Sequence, residues 1–390
     1  MTESNDKKVP ALRFKGFTDD WEQRKPGDFL VESKIIGHKG DKAKKLTVKL
    51  WGKGVQEKQD ILSGSANTQY YIRKSGQLMY GKLDFLHAAF GIVPSQLNNY
   101  ESTIDSPSFD VKSANSIFLL NLFLRKKFYL YYGERANGSR KAKRIHEKDF
   151  LVMPIKMPEI NEQNKISNLI EIVNNRITLQ QRKLSLIKTL KRSFLSDLFF
   201  KTSTNSIVIT LKQVTSIRGG YAFKSKEFTE NGYPIIKIAN ISNNGEIKGP
   251  YSYTNNFNKK YILTKNDIVL AMSGATTGKI AKLRSSKSFL QNQRIGYFCK
   301  TNNIDYNYLY YLLISDQFKK QLKRITIAGA QPNVSSLDIE NFRFSVLSSK
   351  NKQKKISDFL NKLDIKIRIT NKKITIFSQL KRSLLNNMFI

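Results

Sequence analysis

The sequence predicts an α+β protein built as a pseudo-twofold internal repeat: two similar mixed α/β domains, joined and separated by two long coiled-coil helices. Three observations carry that prediction. First, residues 161–200 align without a gap on residues 351–390, and 13 of the 40 pairs are identical. An ungapped match of that length is the mark of a rigid element. Second, apolar residues in both copies recur at alternating spacings of three and four: Ile166, Ile170, Val173 and Ile177, and again Ile356, Leu360, Leu363 and Ile367. That is the seam of a packed helix. Third, short β-rich runs with Gly, Asn and Ser turns precede each copy at the same 190-residue offset.

The expected organisation is a first domain over residues 1–157, a first helix over 158–200, a second domain over 201–347 and a second helix over 348–390. In the first domain, "SGQLMYGKLDF" matches the pattern of "TKNDIVLAMSG" in the second, and "FGIVP" resembles "TGKIA". "NSIFLLNLFLRKKFYLYY" reads as one helix whose counterpart is "NYLYYLLISDQFKKQL". The second domain adds strands at "YPIIKIANIS", "RIGYFCK" and "NFRFSVL". Neither long copy contains Pro or Gly, and at 1.5 Å per residue each makes a rod of roughly 55–60 Å. Gln180 and Thr370 interrupt the seams at matching positions, as a register-fixing polar layer or as tolerated defects. Two seams in one chain should pack on each other, but the residues alone leave parallel and antiparallel pairing open.

Charge points to the partner. Lys and Arg total 67 against 31 acids, a net charge of +36. Such an excess repels itself and calls for a polyanion. Nucleic acid is the first candidate, since phosphate neutralisation releases counterions. A membrane surface ranks lower, because no apolar run approaches the ~18 residues that cross a bilayer. The single cysteine, Cys299, excludes an intrachain disulfide. With a polar N-terminus lacking a signal-like apolar core, this predicts a cytoplasmic protein. His38, His87 and His146 lie far apart, with no Cys or His at metal spacing, so no metal site is expected.

Catalytic motifs fail on spacing. "SGATTGKI" has three residues between Gly274 and Gly278 and Ile280 after Lys279, where a phosphate-binding loop needs four residues and then Ser or Thr. It reads as a strand-to-turn segment. Asp110-Val111-Lys112 is a carboxylate-x-Lys string of the kind some nucleases use, but alternation places it in a strand. No Asn-Pro-Pro-aromatic motif for amino-methylation occurs. The chain is expected to be non-catalytic.

Donor-rich loops supply candidate nucleic-acid contacts, because Arg fits guanine edges in a bidentate way and Asn or Gln fits adenine. The first domain offers Lys39, Lys42, Lys44 and Lys45, then Arg135, Asn137, Arg140, Lys141, Lys143 and Arg144. The second offers Arg218, Tyr221, Lys224, Thr276, Thr277, Gln291, Asn292, Arg294, Gln331 and Asn333. Most of the basic residues should meet phosphate. Phe199, Phe200, Phe389 and Ile390, at the matched helix ends, exceed what the seam needs. They predict a second contact, with a partner or with the other domain.

With these stretches, the chain resembles the specificity subunit of type I restriction–modification systems. "PALRFKGFTDDWEQRKPGDF" resembles that family's opening; "YPIIKIANI", "LTKNDIVLAMSGATTGKI", "LQNQRIGYF" and "AGAQPNVSSLDIENFRFSVL" resemble its second target-recognition domain; "NEQNKISNLIEIVNNRI" and "NKQKKISDFLNKLDIKI" resemble the starts of its two spacer helices. The likeness spans nearly the full chain. Its one departure is that "LSSKNKQKKI" lacks the proline and acid of "MPEINEQNKI". The resemblance implies antiparallel spacer helices and two domains that each read half of a split double-stranded DNA site. It also implies two methyltransferase subunits and restriction subunits as partners, with S-adenosylmethionine, ATP and Mg on those partners and no cofactor on this chain. A self-sufficient DNA enzyme and a sequence-blind nucleic-acid binder are the alternatives.

Overall fold

A computed structural model describes residues 9–59, 66–135, 143–200, 206–326 and 333–390, without the side chains of Asp41 and of residues 198–200. The chain divides into two compact units, one of residues 1–181 with 372–390 and the other of residues 182–371. The division differs from the domain boundaries expected from the sequence. The long helices, Ile160–Phe200 and Lys350–Asn387, are each shared between the units, because each half packs on a different core.

The first unit is built on a four-stranded antiparallel sheet in the order Leu30–Ser33, Ser108–Val111, Leu78–Tyr80, Phe90–Ile92. A three-stranded sheet of Ile35–Lys39, Gln69–Ile72 and Glu101–Ser102 lies beside it in the fold order. Glu22–Arg24 pairs with Ile155–Met157, tying the chain's early segment to the strand that leads into the first long helix. The core is aromatic: Tyr80 has no exposure and sits 4.7 Å from Phe150 and 6.0 Å, stacked, from Phe109.

The second unit repeats the plan. Ile217–Arg218, Ile295–Phe298, Ile268–Ala271 and Ile280–Lys282 form its four-stranded antiparallel sheet in that order. Ile268–Ala271 is buried on both faces, Ile268 and Leu270 in one cluster, Val269 and Ala271 in another. The second sheet departs from its counterpart. It has four strands, ordered Ser252–Thr254, Tyr233–Ile236, Phe289–Gln291, Ile262–Leu263, and its central pair is parallel. Ser206–Thr210 pairs with Arg343–Leu347 as the closing ribbon.

Both helices expected to be continuous are broken. Ser116–Phe123 is followed by Lys126–Glu134, and Tyr306–Leu313 by Asp316–Thr326. In each pair the first piece is apolar on nearly every side and sinks into the core, while the second buries little beyond Phe128 or Phe318. One straight helix could not serve both environments. "SGATTGKI", which follows the strand Ile268–Ala271, is an isolated bridge at Ser273, the 3₁₀ turn Gly274–Thr276 and the start of the next strand, with Gly274 and Gly278 at φ 74 and 84°, conformations that glycine tolerates. Asp110 is in the expected strand and accepts a hydrogen bond from Gln77 Nε2 at 2.9 Å.

Helix pairing is antiparallel within each unit. Ile166, Ile170 and Val173, from the start of the first long helix, share a core with Leu384, Met388 and Phe389 from the end of the second. In the other unit Ile187, Phe194 and Leu195 pack with Ile356, Leu360 and Leu363. Phe194 meets Phe359 at 4.8 Å between ring centroids. Lys191 Nζ is 2.5 Å from Asp364 Oδ1, and the Tyr311 hydroxyl donates to Asp364 Oδ2 at 3.0 Å. The Thr370 hydroxyl donates to Lys366 O at 2.8 Å on its own helix, so it is tolerated rather than used between helices.

Of the two contacts expected for Phe389, with a partner or with the other domain, the structure shows the second. Phe389 is 3% exposed, 5.0 Å from Phe118 and 6.3 Å from Trp21. It belongs to the first unit's own core. Ile390 packs against the same cluster, and Arg125 holds the backbone here by donating to the carbonyls of Ile390 and Phe389. The side chains of Phe199 and Phe200 lie outside the described residues.

Candidate nucleic-acid interface

In the first unit the interface is shaped by one buried carboxylate. Glu101, 2% exposed, accepts from the His38 backbone N–H at 2.7 Å and faces His38 Nδ1 at 2.6 Å. Gly37 is required beside it, since a Cβ there would fall 2.2 Å from Glu101 Oε2. The Glu101 backbone N–H donates to Lys44 O at 2.7 Å. One residue thus pins both ends of the stretch that carries Lys39, Lys42 and Lys44 as exposed cations. Lys45 lies over the Tyr70 ring at 5.4 Å. Of the second candidate cluster, Arg135 covers the Tyr131 ring at 3.6 Å and donates to Tyr131 O at 2.8 Å. Lys143 donates to Glu134 O, and Arg144 is 3.7 Å from Asp105. Asn137, Arg140 and Lys141 lie outside the described residues.

In the second unit the backbone gathers candidates from three separate stretches. Tyr221 N–H donates to Gln291 O at 3.0 Å and Gln293 N–H to Tyr221 O at 2.8 Å. Gly220 makes this approach possible, because a Cβ there would lie 2.1 Å from Asn292 O. Met272 N–H donates to Arg294 O at 3.0 Å, and Ser273 bridges to Asn333. Arg218, Tyr221, Asn292, Arg294 and Asn333 therefore follow one another along one strip. Tyr221 carries an aromatic patch with Phe223 at 4.9 Å and Tyr261 at 5.7 Å. Its hydroxyl donates to Glu227 Oε1 at 3.2 Å, and the Glu227 charge raises its pKa. Lys224 is exposed one turn away, its N–H donating to Glu227 Oε2 at 2.6 Å.

Two candidates are corrected. Gln291 has no exposure, and Nε2 donates to both Arg218 O and Ile295 O at 2.7 Å. It cannot read a base; it holds the strip. The Thr276 hydroxyl is buried with no partner among the described residues, so it does not face outward either. Thr277 donates its hydroxyl to Gly274 O at 2.7 Å and stabilises the turn. Gln331 lies outside the described residues.

Sequence reasoning missed Tyr297, which lies beneath Arg218, and the pairing of Glu101 with His38. Strand alternation puts Tyr297 on the face of the buried Ile295, so nothing in the pattern sets it apart from the core. Nothing local flags Glu101, whose partner is 63 residues away. It also missed a cleft of about 650 Å³ in the second unit, between the two helix segments and the sheet domain. Lys191 and Arg284 there face Asp364, at 2.5 and 3.7 Å. Lys188, Arg192, Lys279 and Arg368 also line it, without an ion-pair partner among the described residues. The cleft suits an anionic group. Among the described residues no cluster of His, Cys, Asp and Glu could hold a metal, and no helix is long and apolar enough to cross a membrane.

Residues 205–376 match the family model of the type I restriction modification DNA specificity domain. A relative from Methanocaldococcus jannaschii, the type I restriction enzyme MjaVIII specificity subunit, is 28% identical over 268 residues; the match covers 62% of this chain and 62% of that protein's length. The crystal structure of a type I restriction–modification S subunit from M. genitalium has the same fold, with a TM-score of 0.67 and 14% identity, covering 98% of this chain and 99% of that one. A second structure, described as the structural basis of complex assembly and conformational transition of the type I R-M system, has a TM-score of 0.50 and 14% identity, covering 95% and 97%. Residues 205–376 thus match the specificity domain of type I restriction–modification systems, the plan of that unit is repeated in the other, and the whole chain shares the fold of the solved type I S subunit.

Proposed function

We propose that this chain is the DNA-reading, non-catalytic subunit of a type I restriction–modification complex. Each unit reads one half of a split, asymmetric double-stranded site, and the gap between the halves is a property of the long helices that join the units. The observation that carries this reading is the strip of Arg218, Tyr221, Asn292, Arg294 and Asn333, a row of base-edge and phosphate donors beside edge-packed aromatics. The net charge of +36 supports a phosphate-rich partner. Differences between the second sheets of the two units, three strands in one and four in the other, support unlike half-sites.

Methyltransferase and restriction subunits are the proposed protein partners. S-adenosylmethionine, ATP and Mg would act on those subunits, and the chain would work in the cytoplasm. The test is a band-shift series on the purified chain with its methyltransferase partner, using duplexes selected from a random pool. The expected result is one split motif and an affinity that falls steeply with salt. Equal affinity for scrambled duplexes would overturn the proposal in favour of a sequence-blind binder. Cleavage or methyl transfer by the isolated chain would overturn its non-catalytic part.

A further inference from the structure

Three arginines show what separates a structural guanidinium from one kept for a ligand. Arg73, 2% exposed, has every N–H direction engaged: Nε donates to Ser102 Oγ, Nη1 to Ser33 O and Ser108 Oγ, Nη2 to Thr103 O and Ser106 O. Arg13 places Nε and Nη2 on the two oxygens of Glu162, each at 2.8 Å, so its charge is neutralised. Arg218 is neither filled nor neutralised. Its Nε and Nη2 converge on a single oxygen, Gln291 Oε1, at 3.3 and 3.1 Å. Nη1 has no partner, and no carboxylate forms an ion pair with this residue, among the described residues.

The support beneath Arg218 is rigid. Gln291 Nε2 donates to two carbonyls at once, which only the amide nitrogen can do, so its oxygen must face the guanidinium. The Tyr297 ring lies under Arg218, 4.5 Å from Cζ to its centroid. A neutral amide and a ring face orient the fork without cancelling its charge. What remains is the Nη1–Nη2 edge, three N–H groups in one fixed plane, at the head of the strip that carries Asn292 and Arg294. Exposed, flexible cations such as Lys224 suit phosphate; a planar donor pair locked in one orientation suits a base edge.

We infer that Arg218 is a base-reading side chain of the second unit and takes guanine, donating from Nη1 and Nη2 to O6 and N7 in the major groove. Gln291 is its positioning residue. The inference rests on the DNA-reading function proposed above and names one element of its specificity.

The test uses the complex with the methyltransferase partner and the duplex selected by the wild type. Replacing the target guanine by 7-deazaguanine, which lacks the N7 acceptor, is expected to weaken wild-type binding at one position of one half-site. Arg218→Ala should relax selectivity at that G·C pair by about 10- to 100-fold. It should leave affinity for random duplex and the salt slope close to wild type, and should be indifferent to 7-deazaguanine. Arg218→Lys, which keeps the charge but not the fork, should relax selectivity as well. Gln291→Ala should do the same while the salt slope stays unchanged, a pattern that a loss of folding would not give. Equal weakening on every duplex by Arg218→Ala would make the residue a phosphate contact and overturn the inference while leaving the DNA-reading function intact. So would indifference of the wild type to 7-deazaguanine at every guanine of the selected site. A wild type that selects no sequence would overturn the DNA-reading function itself.

Discussion

Arg73 and Arg218 differ only in what their N–H groups meet, and that difference separates stability from recognition. Arg73 ties Ser33, Ser102, Ser106 and Ser108 together inside the first unit, and burial lowers its pKa to about 10. Replacing it by Met would leave three carbonyls and two hydroxyls short of a donor. Arg73→Met is therefore expected to cost about 3 kcal/mol, read as a lowered urea midpoint with the second unit's signals unchanged. Little of this was legible beforehand. "YYIRKSG" gives Arg73 no mark of burial, because its acceptors come from segments 29 to 40 residues away. Arg218 was legible as a donor beside a Gly-Gly pair, but Gln291 reads in sequence as an adenine contact until its burial is seen.

The long helices raise a sharper contrast. At the same offset that relates the two copies, Lys191 corresponds to Lys381 and Asp364 to Asn174. Lys191 has its carboxylate; Lys381 is half-buried in the first unit with none among the described residues, and burial lowers its pKa. Lys191→Met should cost about 2–4 kcal/mol, because Asp364, 7% exposed, loses its nearest cation. Thermal unfolding of the second unit would register it. Lys381→Met should leave stability equal or raise it. The sign with pH follows from the same cause. The folded state gives up the Lys381 proton below the ordinary value of 10.5, so across that window the unfolded chain binds more protons and stability rises with pH. Lys381→Met should lose this residue's share of the rise, giving a smaller gain than the wild type when melting temperatures are compared from neutral to alkaline pH. A variant that melts lower at neutral pH would contradict this account.

At the scale of the whole molecule, the units have unequal claims on the chain. The second is one continuous stretch, residues 182–371, whereas the first needs residues 372–390 to complete its core. Leu384, Met388 and Phe389 are buried there, and Leu12 N–H donates to Asn387 O at 2.8 Å. A fragment of residues 182–371 should fold alone, with dispersed amide spectra and a cooperative melt. Residues 1–181 should stay unfolded until a peptide of residues 372–390 is added, because that peptide supplies three core side chains and the antiparallel partner of Ile166 and Ile170. Cooperative folding of residues 1–181 without the peptide would show that the core closes by itself.

The repeat, the two helices, the strands and the charge were all set by the linear order of residues, because periodicity and internal similarity are local properties that survive without a fold. Antiparallel pairing was not, since both seams are symmetric enough to accept either direction until the strand ribbons Glu22–Arg24 with Ile155–Met157 and Ser206–Thr210 with Arg343–Leu347 fix where each helix begins. Nor were the breaks in the two shorter helices, which follow from where the core ends. The division between side chains that hold and side chains that reach outward, Gln291 against Arg218 and Glu101 against Lys39, was decided only by tertiary structure. Burial and the return of distant strands, not residue type, determine which hydrogen-bonding groups are left over for a ligand.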